Sequence, residues 1–232
     1  MNIILALFLS CMITIEDSED KSALIIEQGE TSKALFNRGP LKSSAKIMIF
    51  SKDTILGHGS SNYFKSGKFK FVLTAAHVLD HEYDSYILDG DELVKLKVLF
   101  ISKSRDVAIA APERELITVS AKTLRVNKKM DLIGETTYYA GFPQDLDKSL
   151  FKGFVSKSGQ KSIIIQSFAL PGSSGSVVFD FWGRAIGVVS AVKVGRSGVN
   201  PYPELVDSIV IVERIDFIDH RFIKELFLSH AG

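Results

Sequence analysis

Short runs of alternating or wholly apolar residues, each closed by Gly, Asp, Asn or Lys, recur along the chain from Ala45 to Val212. Candidate strands in the first half are Ala45–Phe50, Phe69–Thr74, Tyr86–Leu88, Leu93–Ile101 and Val107–Ala110. A second series comprises Thr137–Ala140, Gly153–Ser156, Ser162–Ser167, Ser176–Phe179, Ala185–Val192 and Ser208–Val212. Within Leu93–Ile101, Lys95 and Lys97 fall on one face, the alternation of a half-buried strand. Turn residues mark the boundaries at Ser66-Gly67, Asp89-Gly90 and Trp182-Gly183-Arg184. Two segments depart from the strand period. Ala76–Asp80 suits a single helical turn. Asp216–His230 sets Ile218, Phe222, Leu226 and Phe227 at helical spacing, with Asp219 as the candidate N-cap. Gly57-His58-Gly59-Ser60 reads as a loop. The pattern predicts an all-β sandwich or barrel closed by a C-terminal α-helix.

One stretch stands apart in composition. Residues 2–14 (NIILALFLSCMIT) are almost wholly apolar, and an acidic run of Glu16, Asp17, Glu19 and Asp20 follows. The stretch is shorter than the roughly 18 residues that a membrane-crossing helix needs, and it fits a signal-peptide core. We therefore expect a leader over residues 1–14, an extension over 15–44 and an exported protein. The competing expectation is an apolar element packed on a cytoplasmic domain. Phe8-Leu9-Ser10-Cys11 faintly resembles a lipid-attachment signal, so membrane contact is expected only through this leader or a lipid anchor. Cys11 is also the single cysteine among 232 residues, which excludes an intramolecular disulfide and zinc modules built on cysteine. The 28 Lys and Arg balance 27 Asp and Glu and are dispersed, so nucleic acid is not an expected partner.

Three short segments carry residue types that suggest chemistry. Leu73-Thr74-Ala75-Ala76-His77-Val78-Leu79 is a strand ending in small residues and a histidine. Ser104-Arg105-Asp106-Val107-Ala108-Ile109 places an aspartate at the mouth of an apolar strand. Pro171-Gly172-Ser173-Ser174-Gly175-Ser176-Val177 is a Gly/Ser-dense turn feeding another. A serine hydroxyl needs an imidazole to take its proton, and the imidazole needs a carboxylate to fix its tautomer. A tetrahedral oxyanion needs two converging N–H groups, here those of Gly172 and Ser174. Taken singly, each segment is an ordinary core histidine, turn aspartate or loop. Together, in the order His77, Asp106, Ser174, they compose a nucleophile, its base and an orienting acid. Competing sites fare worse. His77 and His81 lack a third ligand for a metal. An esterase elbow needs glycine where the chain has Ser176, and there is no phosphate-binding loop or dinucleotide fingerprint. No cofactor is expected.

These motifs resemble those of the trypsin-like serine peptidases of the chymotrypsin fold, in the style of the disulfide-free Deg-type and glutamyl-endopeptidase branches. Leu73–Leu79 matches the family's T-A-A-H segment, and Asp89-Gly90 followed by Arg105-Asp106-Val107-Ala108 matches its Asp segment. Pro171–Ser176 matches P-G-x-S-G-(G/S). Tyr139-Ala140-Gly141-Phe142-Pro143, Gly153-Phe154-Val155-Ser156 and Gly183-Arg184-Ala185-Ile186-Gly187-Val188 resemble three further turns and strands of its second barrel. The resemblance implies an all-β domain over residues 45–232. It would hold two six-stranded antiparallel β-barrels, about residues 45–115 and 125–213, and a C-terminal α-helix at about 216–230. It further implies His77 as general base, Asp106 as orienting carboxylate, Ser174 as nucleophile, and a polypeptide as substrate. Phe168, Ala169 and Leu170, with Ser190, Ala191 and Val192, would line the substrate subsites. None of these is acidic, so aliphatic side chains are expected before the scissile bond, although Lys193 at the rim could favour an acidic one. Departures are Val177 in place of a common proline and Ser173 in place of Asp or Asn. The alternative expectation is a catalytically silent peptide-binding protein of the same fold.

Overall fold

The apolar runs of the first half curl into one closed sheet and those of the second half into another. The computed structural model describes residues 24–25, 38–144, 146–196 and 203–230. The expected leader, Cys11 and most of the expected extension lie outside the described residues. Among the described residues no helix is long and apolar enough to cross a membrane.

The first sheet contains β2 (Ser44–Ser51), β3 (Thr54–Ser66), β4 (Phe69–Thr74), β5 (Asp84–Asp89), β6 (Glu92–Ser102) and β7 (Val107–Pro112), preceded by the short helix α1 (Arg38–Ser43). Its ring order is β2-β5-β6-β7-β4-β3, closed by β2–β3 pairing, with β8 (Lys122–Thr123) added parallel to β3. The second sheet contains β9 (Thr136–Gly141), β10 (Ser149–Ser158), β11 (Ser162–Gln166), β12 (Val177–Asp180), β13 (Ala185–Arg196) and β14 (Pro203–Arg214). It runs β10-β11-β14-β13-β12-β9 and closes through β10–β9, with β1 (Leu24–Ile25) parallel to β10. Each ring has six antiparallel strands, and closure leaves neither barrel with a free edge. This is the two-barrel architecture of the chymotrypsin fold.

Each barrel is filled by its inward residues. Phe64, Phe71, Leu73, Ile87 and Ile109 fill the first, and Tyr139, Ile163, Ile165, Val210 and Val212 the second. The first core continues across the seam into Val177, Phe179, Ala185 and Val188 of the second barrel. Phe64 lies 6.0 Å from Phe71 and 6.1 Å from Phe179, so one aromatic chain spans both barrels. Buried Asn62 fastens the same seam, its Oδ1 accepting the Val177 N–H at 3.0 Å and its Nδ2 donating to Ser43 Oγ at 2.9 Å. The linker between the barrels is tied to the second by Arg214, whose fully buried guanidinium donates to the carbonyls of Lys129 and Met130.

The expected helix forms as α3 (His220–Ser229), capped by Asp219, which accepts the Phe222 N–H. It packs on the first barrel through Ile223 and through Phe227, whose ring stacks 4.9 Å from Phe69. A larger difference from the sequence reading concerns Thr54–Ser66. This segment is the longest strand of the first barrel, and His58 belongs to it rather than to a loop. Its run of Ser60, Ser61 and Asn62 is wholly buried, which a hydropathy pattern reads as a turn.

Candidate active site

The seam between the barrels brings the three sequence segments together. Strand β4 ends in Thr74, whose hydroxyl donates to the Ser60 carbonyl at 2.7 Å. The next residues form the single turn α2 (Ala76–Leu79), in which Ala76, Val78 and Leu79 are buried and His77 alone is exposed. The small residues Ala75 and Ala76 before His77 are buried in the first barrel's core. His81, one turn on, uses its ring within its own segment: Nε2 faces the Val78 carbonyl at 2.8 Å and Nδ1 accepts the Tyr83 N–H.

Asp106 follows a 3-10 turn (Lys103–Arg105) and adopts left-handed backbone, φ 43°, a conformation that Asp tolerates better than most residues. That kink turns the chain into β7 and aims the carboxylate at α2. Its Oδ1 accepts the His77 backbone N–H at 2.9 Å, and its Oδ2 accepts the His77 Nδ1–H at 2.8 Å. Both orientation and tautomer of the ring are thereby set, leaving Nε2 free to act as a base. Arg105 braces the turn from below, paired with Asp216 at 3.1 Å and lying over the Phe217 ring.

A third donor reaches Asp106 from the other barrel. Pairing of β13 with β14 shifts register between Val189 and Ala191, leaving Ser190 as a bulge residue. The Ser190 hydroxyl donates to Asp106 Oδ2. Burial alone would raise the Asp106 pKa. The bonds from the His77 ring, the Ser190 hydroxyl and the His77 N–H outweigh it and hold the carboxyl below its ordinary value. Glu213 on β14 feels the same charge, and burial followed by Asp106 pushes its carboxyl up. Ser190, expected above among the subsite residues, thus turns its hydroxyl to the aspartate.

The Ser174 turn is held by backbone bonds on every side. Ser173 N–H donates to Leu170 O, Ser176 N–H to Ser173 O, and Gly175 N–H to Val189 O. Ser60 N–H donates to Ser174 O at 2.8 Å, joining the turn to the first barrel. Gly172 and Gly175 have φ of 93° and 92°, and a Cβ on Gly175 would sit 2.0 Å from the Ser60 carbonyl oxygen. Only glycine meets both demands. Ser173, where the family often carries an acid, is buried and bonds Leu170 N–H through its hydroxyl. Among the described residues, the N–H groups of Gly172 and Ser174 have no acceptor. The Ser174 hydroxyl likewise has no hydrogen-bond partner among them, so the Ser174–His77 leg is open while His77–Asp106 is closed.

Of the remaining subsite residues, Ala169 is buried, Leu170 half-buried and Ala191 exposed. Phe168 is half exposed; its carbonyl accepts the Tyr139 hydroxyl and its ring packs on Phe151, which stacks on Tyr139. Val192 lies in β13 opposite Val210, and its side chain, like that of Lys193, is outside the described residues.

A family model for trypsin-like peptidase domains matches residues 59–188, more than half of the chain, and the chain belongs to that family. The fold is similar to that of the serine endoprotease from Yersinia pestis, with a TM-score of 0.65 and 15% identity over 88% of this chain and 69% of that one. No curated protein matches the sequence. Family and fold together make this a trypsin-like serine peptidase domain.

Proposed function

We propose that the chain is an active serine endopeptidase working through an acyl-enzyme. Ser174 Oγ attacks the peptide carbonyl while His77 Nε2 takes its proton. Asp106 holds the imidazolium, and the N–H groups of Gly172 and Ser174 bind the oxyanion. Collapse of the tetrahedral intermediate breaks the C–N bond, and His77 returns the proton to the departing amine. Water then enters and gives a proton to His77 as its oxygen bonds the acyl carbon; the C–Oγ bond breaks, a carboxylic acid leaves, and His77 returns the proton to Ser174 Oγ. The observation that carries this reading is the double grip of Asp106 on His77, through both the ring and the backbone N–H, reinforced across the seam by Ser190. A structural aspartate has no need of an exposed imidazole held in one tautomer.

A fluorophosphonate reagent tests it. Wild-type protein is expected to take up one label, mapped by peptide mass spectrometry to Ser174 and lost in Ser174→Ala. Folded wild type that stays unlabelled would favour a silent peptide-binding groove.

The substrate class follows from the lining. Phe168, Ala169, Leu170, Ser190 and Ala191 supply no carboxylate, so a basic side chain before the scissile bond would be desolvated without a counter-charge. The Phe168–Phe151–Tyr139 stack fills space beside them. Cleavage is expected after small and medium aliphatic residues when a peptide library is digested and its products sequenced. Predominant cleavage after Lys or Arg would contradict the assignment.

A further inference from the structure

The oxyanion hole depends on which way the Gly172 N–H points, and that is decided outside the Ser174 turn. The Pro171–Gly172 peptide is trans, so its C=O and N–H point in opposite directions. The Pro171 carbonyl accepts the Gln144 N–H at 2.6 Å. Gln144 thereby turns the Gly172 N–H away from itself. It does so from left-handed backbone, φ 48°, which is disfavoured for a residue with a Cβ. Something must hold it there.

The holders come from β3 of the other barrel. His58 Nε2 donates to the Phe142 carbonyl at 3.0 Å, so this nitrogen carries the proton. Ser60 Oγ accepts the Phe142 N–H at 2.9 Å and donates its own proton to the Gly172 carbonyl at 2.7 Å. Leu146 N–H closes the turn on Pro143 O at 3.0 Å. The result is a ring of bonds running Ser60, Phe142, Gln144, Pro171, Gly172 and back to Ser60. The fit is tight: a Cβ on Gly172 would lie 2.4 Å from Phe142 O and 2.5 Å from His58 Nε2. Both carbonyls flanking the Gly172 N–H are therefore fixed, one through Gln144 and one through Ser60.

We infer that His58 and Ser60 are positioning residues for the oxyanion hole. They act through the Phe142–Gln144 turn, which would otherwise relax and let the Pro171–Gly172 peptide rotate its carbonyl into the hole. The inference rests on the serine peptidase reading for its kinetic consequence, but its geometric content stands apart from activity. Neither side chain touches the reacting atoms, and neither was marked by the sequence motifs.

The test uses the full chain with His58→Ala, Ser60→Ala and, as the conservative variant, His58→Gln, whose side-chain amide can still donate to Phe142 O. Crystal structures of each variant report the orientation of the Pro171–Gly172 peptide. Initial rates on a peptide substrate report kcat and KM. Loss of one oxyanion donor predicts kcat about 100- to 1,000-fold lower with KM changed by less than about threefold, and largely restored kcat in His58→Gln. A rotated peptide in His58→Ala or Ser60→Ala supports the inference even where no variant, wild type included, turns over substrate; in that event the peptidase reading alone fails. If the Pro171 carbonyl stays on Gln144 in both alanine variants, or if kcat is unchanged in both, the inference is overturned. Should Ser60→Ala not fold, the half-buried His58 decides by the same two readouts.

Discussion

Asp106→Asn is expected to lower kcat/KM on the order of 10⁴-fold while leaving the fold intact. The reason lies in how its two oxygens are used. Oδ1 faces a backbone N–H, which cannot change its donor character, and Oδ2 faces the Nδ1 position and the Ser190 hydroxyl. In the variant, the amide oxygen must satisfy the backbone N–H, which puts the NH₂ group against Nδ1. The ring then accepts at Nδ1 and carries its proton on Nε2, where it can no longer take one from Ser174. The opposite amide orientation sets NH₂ against the His77 N–H, two donors facing each other. The second orientation is therefore disfavoured, and in the first the base is disabled with no atom displaced. Removing the imidazole in His77→Ala or the nucleophile in Ser174→Ala is expected to cost at least as much, because the three groups act as a unit. Steady-state kinetics on a peptide substrate, with melting curves to establish folding, decide the matter. A loss below about tenfold in folded Asp106→Asn would mean that the aspartate does not set the tautomer.

The parts of the site that were legible in the sequence are those whose signal is local. His77 ends an apolar strand of small residues, Asp106 opens one, and Ser174 sits between glycines that its turn geometry requires. Each is recognisable within a window of about ten residues. What stayed hidden is made by residues distant in the chain. Ser190 reads as part of a strand, and only the bulge between Val189 and Ala191 turns it toward Asp106, 84 positions away. His58 and Ser60 meet residues 84 and 112 positions on. Strand β3 was missed for the same reason. Ser60, Ser61 and Asn62 are polar yet fully buried, because each finds its partner across the barrel or the seam: Gly172 O, Ala45 O and Val177 N–H. Hydropathy records the cost of burying a polar group but not the bond that offsets it. Gly57-His58-Gly59-Ser60 did carry one usable signal. Glycines inside a strand mark a close backbone approach, and a Cβ on Gly59 would lie 2.8 Å from Val78 and 3.3 Å from the Ser174 carbonyl oxygen.

Asp89 shows how a residue read as a turn former can hold a barrel together, and replacing it is expected to have the largest effect on stability. The Asp89-Gly90 turn does form, with Gly90 at φ 66°, but the side chain is wholly buried and looks inward. Its carboxylate accepts the N–H groups of Ile117 and Thr118, the Thr118 hydroxyl and one N–H of Arg114, at 2.7–2.8 Å. The segment leaving the first barrel is thereby pinned across the barrel end, over buried Leu116 and Val119. Burial alone would raise the Asp89 pKa; the four donors reverse this and hold the carboxyl far below the usual carboxylate range. The Arg114 leg counts least, since that guanidinium is about one-third exposed and solvent screens it. The other donors remain, and Asp89→Ala is expected to cost about 2–4 kcal/mol, or roughly 5–15 °C in Tm. Asn should not rescue it, because its NH₂ would face either Arg114 and the Ile117 N–H or the two Thr118 donors. The pH dependence follows from the sign of the shift. A carboxyl with a depressed folded pKa stabilises fully above its unfolded value of about 4 and loses that contribution as pH falls toward the folded value. The gap between wild type and Asp89→Ala is therefore expected to be complete at pH 7 and to shrink below about pH 4, as measured by urea unfolding at a series of pH values. A gap that stayed constant down to pH 2, or one below about 1 kcal/mol at neutral pH, would show that the buried carboxylate is not what holds this segment.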